Sequence, residues 1–169
     1  MVIGDDFKFG AKRQGDFNLL SQLSSQYNYT LEATQTFELA NERVSSTRVR
    51  QALQAQKFAL TAQLLGRPYK LSGPVMHGKK LGRQLAMPTA NVYNGPYKRA
   101  LQGVYLVLVQ MPNGLLFPGV ANLGFRPSVE VNQQNLLEVH LLGYSGNLYG
   151  QRLEVFPLAK LRNEQKFAS

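Results

Sequence analysis

The sequence contains no cysteine. That absence removes disulfides, thiolate nucleophiles and cysteine-ligated zinc or iron–sulfur centres together, and it sits comfortably with a reducing compartment. No run of about 18 consecutive apolar residues occurs, so no transmembrane helix is expected. The first residues, Met1-Val2-Ile3-Gly4-Asp5-Asp6, carry neither a basic start nor an apolar stretch, so they do not resemble a secretory signal. Internal repeats and low-complexity tracts are also absent. Acidic residues are scarce in one part of the chain only. Residues 1–66 carry seven Lys/Arg against six Asp/Glu, whereas residues 67–169 carry twelve against four. The overall excess of +9 therefore lies almost wholly in the second part, which should attract an anion. Nucleic acid, a polyphosphate nucleotide and an acidic surface all satisfy that requirement.

What is present is enough to fold. Apolar residues make up 44% of the 169, sufficient for a real core. The first part reads as mixed α/β. Residues 2–9 look like the end of a strand. Asp16 caps a helix over about 17–26, with Phe17, Leu19, Leu20 and Leu23 at helical spacing. Tyr29 to Leu39 reads as a strand entering a loop. A Ser or Thr in Ser45-Ser46-Thr47 caps a helix to about Leu53, and a second short helix runs near Phe58–Leu65, stopped by Gly66 in a left-handed conformation.

After Arg67-Pro68 the pattern changes, and a domain boundary is expected at 66–67. Short strands are expected over 69–76, 90–93, 103–111, 115–123, 136–144 and 148–158, with hairpin turns at Met111-Pro112-Asn113-Gly114 and Ser145-Gly146-Asn147. Many short strands with regular turn signals indicate a barrel or a sandwich.

Four segments carry candidate chemistry. The loop from Met76 to Asn91 contains Gly78, Lys79, Lys80, Gly82 and Arg83. Glycine lets backbone N–H groups approach a phosphate, and the cations neutralise its oxygens. The Gly-Lys-Ser/Thr ending of a Walker A loop is missing. Thr89 and Asn91, two apart, face one side of a strand and offer a hydroxyl and an amide oxygen to Mg²⁺, provided substrate phosphates supply most of the charge. A solvated basic loop and an ordinary turn is the plainer account. Glu138, in the apolar strand expected over 136–144, is a candidate general base; a carboxylate at a barrel mouth paired with an arginine is the alternative. His140 shares its face and reads as a packed, hydrogen-bonded histidine. Lys160 to Phe167 combines cations with an aromatic ring that can stack on a planar anion, or is merely a solvated charged segment. Ser45-Ser46-Thr47-Arg48, with Arg50 nearby, offers a phosphate site at a helix start, or simply a cap.

Taken together, these segments resemble the bacterial bifunctional riboflavin kinase/FMN adenylyltransferase family, also called FAD synthetase. The resemblance rests on Gly78 to Arg83, Pro88-Thr89-Ala90-Asn91, Gly119-Val120-Ala121-Asn122-Leu123-Gly124, Leu137-Glu138-Val139-His140 and Leu148-Tyr149-Gly150. In the first part it rests on Gly4 to Gly10 and Val44 to Arg50. It implies a mainly β protein: a six-stranded antiparallel, Greek-key-like barrel over 67–169, preceded over 1–66 by the last portion of an α/β nucleotidyltransferase domain.

It implies a riboflavin kinase using Mg²⁺, with ATP and riboflavin as substrates and FMN and ADP as products. By the same resemblance, Glu138 is the catalytic base; Gly78, Arg83, Thr89, Leu141, Gly143 and Tyr149 contact ATP; Thr89 and Asn91 hold the metal; Arg162, Gln165 and Phe167 contact the flavin. Ser46, Thr47 and Arg50 are the remnant phosphate site of the nucleotidyltransferase. FMN adenylylation is expected to be absent from this chain, because His77 and His140 are its only histidines and neither lies in a His-x-Gly-His-type motif. Small-molecule substrates, a cytoplasmic setting and no nucleic-acid or membrane partner complete the expectation. Two departures stand out: Ala86-Met87 precedes Pro88 where a Gly-containing pair is usual, and Gly143 replaces a commonly acidic residue. A flavin- or nucleotide-binding fragment without turnover, and a basic nucleic-acid-binding barrel, are the competing readings.

Overall fold

The computed structural model describes residues 1–77, 89–95, 100–124 and 136–164. Two compact units are present, Met1–Ser46 and Thr47–Ser169.

The first unit is small and mixed. Strands β1 (Val2–Gly4) and β4 (Glu32–Thr34) pair in parallel, the arrangement of an α/β sheet. Between them lie the antiparallel pair β2 (Lys8–Phe9) and β3 (Gly15–Asp16), then helix α1 (Phe17–Leu23). The Asp16 side chain accepts a hydrogen bond from the Leu19 amide at 3.0 Å, which is the expected cap. A tight hairpin joins β5 (Glu38–Leu39) to β6 (Glu42–Arg43), with Ala40 and Asn41 both at positive φ. An ion pair between Arg43 and Asp6 ties the end of that hairpin to the loop after β1.

The second unit opens with two helices, α2 (Ser46–Gln54, whose first residue ends the first unit) and α3 (Phe58–Leu65). Gly66 closes α3 at φ 67°, as its position predicted. The change of pattern at 66–68 marks where helix gives way to strand. By packing, the unit begins earlier, because Leu53 belongs to the barrel's core cluster and the Phe58 ring meets Tyr105 edge-on at 6.3 Å.

Six strands follow: β7 (Leu71–Met76), β8 (Ala90–Tyr93), β9 (Gly103–Gln110), β10 (Leu116–Leu123), β11 (Leu136–Leu141) and β12 (Arg152–Arg162). They form a closed barrel in the order β7-β8-β11-β10-β9-β12, antiparallel throughout. Strands β9, β10 and β11 form a meander and β12 returns to lie beside β9, which is a Greek key. Alternation is clean where it matters: Ala90, Val92, Ala121, Leu123, Leu137, Val139, Leu153 and Val155 are buried inside. Closure is tight between β7 and β8, where a Cβ on Gly73 would overlap the Tyr93 carbonyl oxygen.

The turn at Met111–Gly114 is observed, with Met111 N–H donating to Leu115 O at 2.9 Å and Gly114 at φ 84°. The expected hairpin at Ser145–Asn147 is not. Strands β11 and β12 have different neighbours, so residues 142–151 are a connection across the barrel's end, and β12 starts at Arg152 rather than 148. Barrel closure decides the pairing here, and local turn chemistry does not.

Candidate active site

Three neighbouring strands bring the candidate residues together. Asn91 on β8 lies opposite Glu138 on β11, and Glu138 lies opposite Asn122 on β10. Directly opposed residues in an antiparallel pair point to the same side, with Cβ atoms about 4.5–5.5 Å apart. Because Ala90, Val92, Leu137, Val139, Ala121 and Leu123 occupy the interior, Asn91, Glu138 and Asn122 stand on the outer face. Two residues further along β11, the register places His140 opposite Val120 and, continued past the end of β8, opposite the exposed Thr89. The two pairs that spacing alone predicts, Thr89 with Asn91 and Glu138 with His140, thus merge into a single polar surface on the barrel.

The line of opposed residues extends both ways. On one side Asn91 faces Met76, the last residue of β7. On the other, Asn122 faces Val104 on β9, and Val104 faces Arg162 on β12. The stagger of the barrel keeps this line from closing on itself, since β7 pairs with β12 near Arg152 and not near Arg162. Glu138 therefore sits in the middle of a line that runs from the His77 end to the Arg162 end.

At the His77 end, the connection 142–151 is docked against β7. Val75 N–H donates to Gln151 O at 2.9 Å, and Gly150 N–H donates to Val75 O at 3.0 Å. This brings the Tyr149 ring against His77, stacked at 4.1 Å. Gly143 lies in the same connection at φ 70°, and a Cβ there would meet nothing. A left-handed position suits glycine, asparagine or aspartate, so the space left by the absent acidic side chain is simply open. Leu141, expected to line the nucleotide side, turns its side chain into the core at 6% exposure. The neighbouring Leu142 is exposed.

At the Arg162 end, Lys160 and Arg162 are the last residues of β12 and not part of a separate charged segment. The Glu164 carboxylate lies against Gly124, just past β10. Gly78, Arg83, Gln165 and Phe167 fall outside the described residues. Ser46, Thr47 and Arg50 lie in the first two turns of α2 and are exposed.

The carboxylates of the barrel sort by surroundings. Glu154 is tied to Lys70 at 2.6 Å, and Glu164 sits beside Gly124. Glu138 is the one flanked by two carboxamides. Among the described residues no group of three His, Cys, Asp or Glu side chains could hold a metal. The hard donors on this surface are Thr89, Asn91 and Glu138, a set that suits Mg²⁺ when phosphates complete the coordination.

The sequence alone did not single out Asn122, which the structure places beside Glu138. It lies in a segment that carries the family resemblance, yet only strand register places it beside Glu138. Its side-chain oxygen is buried and has no hydrogen-bond partner among the described residues.

The riboflavin kinase family matches residues 65–169, and the FAD synthetase family matches residues 1–48. Bifunctional riboflavin kinase/FMN adenylyltransferases from Pseudomonas fluorescens, Haemophilus influenzae and Escherichia coli K12 are 52%, 47% and 47% identical to the chain over all 169 residues. The chain spans 54% of each of these relatives. A Streptococcus pneumoniae crystal structure, titled as a macrolide-efflux protein, superposes with a TM-score of 0.66 at 27% identity, over 99% of this chain and 54% of that one. Among the described residues no helix is long and apolar enough to cross a membrane.

Proposed function

The chain belongs to the riboflavin kinase family, and on that premise we propose that its barrel transfers the γ-phosphoryl group of ATP to the 5′-hydroxyl of riboflavin, giving FMN and ADP. The observation that carries the assignment is the line Asn91–Glu138–Asn122 at the centre of the outer surface. Glu138 takes the hydroxyl proton as the ribityl oxygen bonds to phosphorus and the bond to the ADP oxygen breaks. Thr89 and Asn91 would hold Mg²⁺, which would supply charge neutralisation to the phosphates. Gly78, Arg83, Tyr149 and the backbone near Leu141 and Gly143 serve the nucleotide; Arg162, Gln165 and Phe167 serve the flavin. Phosphoryl transfer asks mostly for positioning and electrostatics, and the excess of twelve basic over four acidic residues in 67–169 provides the field.

We assign residues 67–169 to the kinase barrel and residues 1–66 to a segment derived from a nucleotidyltransferase, in which Ser46, Thr47 and Arg50 keep a phosphate-site pattern; the residues of that segment from Thr47 on, which include α3 and nearly all of α2, fold with the barrel. The adenylyl transfer in the relatives' name is not assigned to this chain. Its setting is the cytoplasm, its partners are small molecules, and neither nucleic acid nor a membrane is among them.

Incubating the chain with riboflavin and MgATP tests the assignment, with FMN resolved by chromatography. Glu138→Gln should lower turnover by about 10²- to 10⁴-fold while flavin binding persists. Near-normal turnover in that variant would remove Glu138 from its role. A chain that binds riboflavin and ADP yet makes no FMN would instead be a binding module.

A further inference from the structure

We propose that Asn122 is a substrate-positioning residue whose side-chain oxygen accepts a hydrogen bond from the ribityl chain and so presents the terminal hydroxyl to Glu138. The inference rests on the kinase reading above and deepens it.

Two independent observations support it. The first is place. Asn122 lies directly across the β10–β11 pair from Glu138, on the side of the line that leads to Arg162. Asn91 holds the opposite flank, toward His77 and Tyr149. A phosphoryl donor on the Asn91 side and an alcohol on the Asn122 side would meet at Glu138. The second is an unmet requirement. The Asn122 side-chain oxygen is shielded from solvent and has no hydrogen-bond partner among the described residues. Buried acceptors are almost always paired, and leaving one unpaired destabilises the fold. Such an atom is explained when a ligand brings the donor. The ribityl chain is a polyol, so it offers several hydroxyl donors and no charge, which matches a neutral amide acceptor better than a phosphate would. Asn91 cannot substitute, because it stands on the nucleotide flank.

This assignment has a signature that a structural role would not give. Removing an unpaired buried acceptor should leave the fold as stable as before, or more so, while weakening the substrate. The test compares riboflavin with lumiflavin, which has the same ring system and no ribityl chain. Binding of each to the full chain is followed by flavin fluorescence with ADP present, together with Tm. Asn122→Leu should keep or raise Tm, weaken riboflavin between about 5- and 100-fold, and leave lumiflavin unchanged. Asn122→Asp, which keeps an oxygen in place, should restore riboflavin binding to near the wild-type level. Equal loss for both flavins, no loss for either, a marked fall in Tm for Asn122→Leu, or failure of Asn122→Asp to restore binding would each overturn the inference. A wild-type chain that binds neither flavin would overturn the kinase reading itself, and this inference with it.

Discussion

As the proposed holders of Mg²⁺, Thr89 and Asn91 would make a metal site out of very little protein, because the substrate would carry the charge. Neither side chain is ionised, so their hold on a hard cation depends on ligand number and on the phosphates that arrive with it. Deleting either oxygen should leave the fold intact, because both stand outside the buried layer formed by Ala90 and Val92. Thr89→Ala and Asn91→Ala should therefore shift the Mg²⁺ concentration for half-maximal FMN formation upward by about tenfold, at the scale of one lost charge-assisted contact. A Mg²⁺ titration on each variant checks this, and an unshifted midpoint would dissociate that residue from the metal. Nothing in the spacing of Thr89 and Asn91 reveals that Glu138 is their neighbour. That fact comes from the pairing of β8 with β11, two strands separated by 42 residues of chain.

Elements were legible where the physics is local. Asp16 before Phe17-Asn18-Leu19 predicts a cap, and the Leu19 amide does donate to it. That hydrogen bond, helped by Lys8 at 3.0 Å, holds the Asp16 carboxyl below the usual aspartate range. A depressed carboxylate stabilises the fold fully above its unfolded pKa of about 3.9, and the contribution is lost as pH falls through the lower folded value. The Leu19 amide shift, followed by NMR from pH 6 to 2, should titrate with a midpoint below about 3.9. Asp16→Asn should keep the cap and abolish that titration. A midpoint at the ordinary value, or one surviving in the Asn variant, would break the link.

The same local logic located Gly66 and the Met111–Gly114 turn but failed at Ser145–Asn147. Those residues have turn chemistry, yet β11 and β12 are not partners, because each closes the barrel against strands distant in sequence. Strand β12 also runs further than its pattern suggests. Register shifts between Pro157 and Ala159, and between Lys160 and Arg162, carry it on to Arg162 after simple alternation has lapsed. The surface containing Glu138 was thus half visible: its residue types could be read from spacing, and its geometry could not.

For the whole molecule, charge is the property that reaches beyond any one contact. The chain carries +9 with an isoelectric point near 9.9, concentrated in the part that forms the barrel. Such a field accelerates and tightens the encounter with MgATP, which is anionic, and does nothing for riboflavin, which is neutral. Raising ionic strength from about 0.01 M to 0.3 M shortens the screening length from about 30 Å to less than 10 Å. KM for ATP should therefore rise several-fold over that range, while KM for riboflavin and the turnover number stay nearly constant. The comparison is internally controlled, because general damage by salt would move both substrates together. It also separates the proposed function from its basic-barrel competitor. An oligonucleotide-binding surface releases many counterions at once, so its affinity would fall by orders of magnitude over the same range. A steep salt dependence of oligonucleotide binding, with no salt effect on ATP, would favour that competitor. A modest slope confined to ATP requires a site built for one polyphosphate at a time.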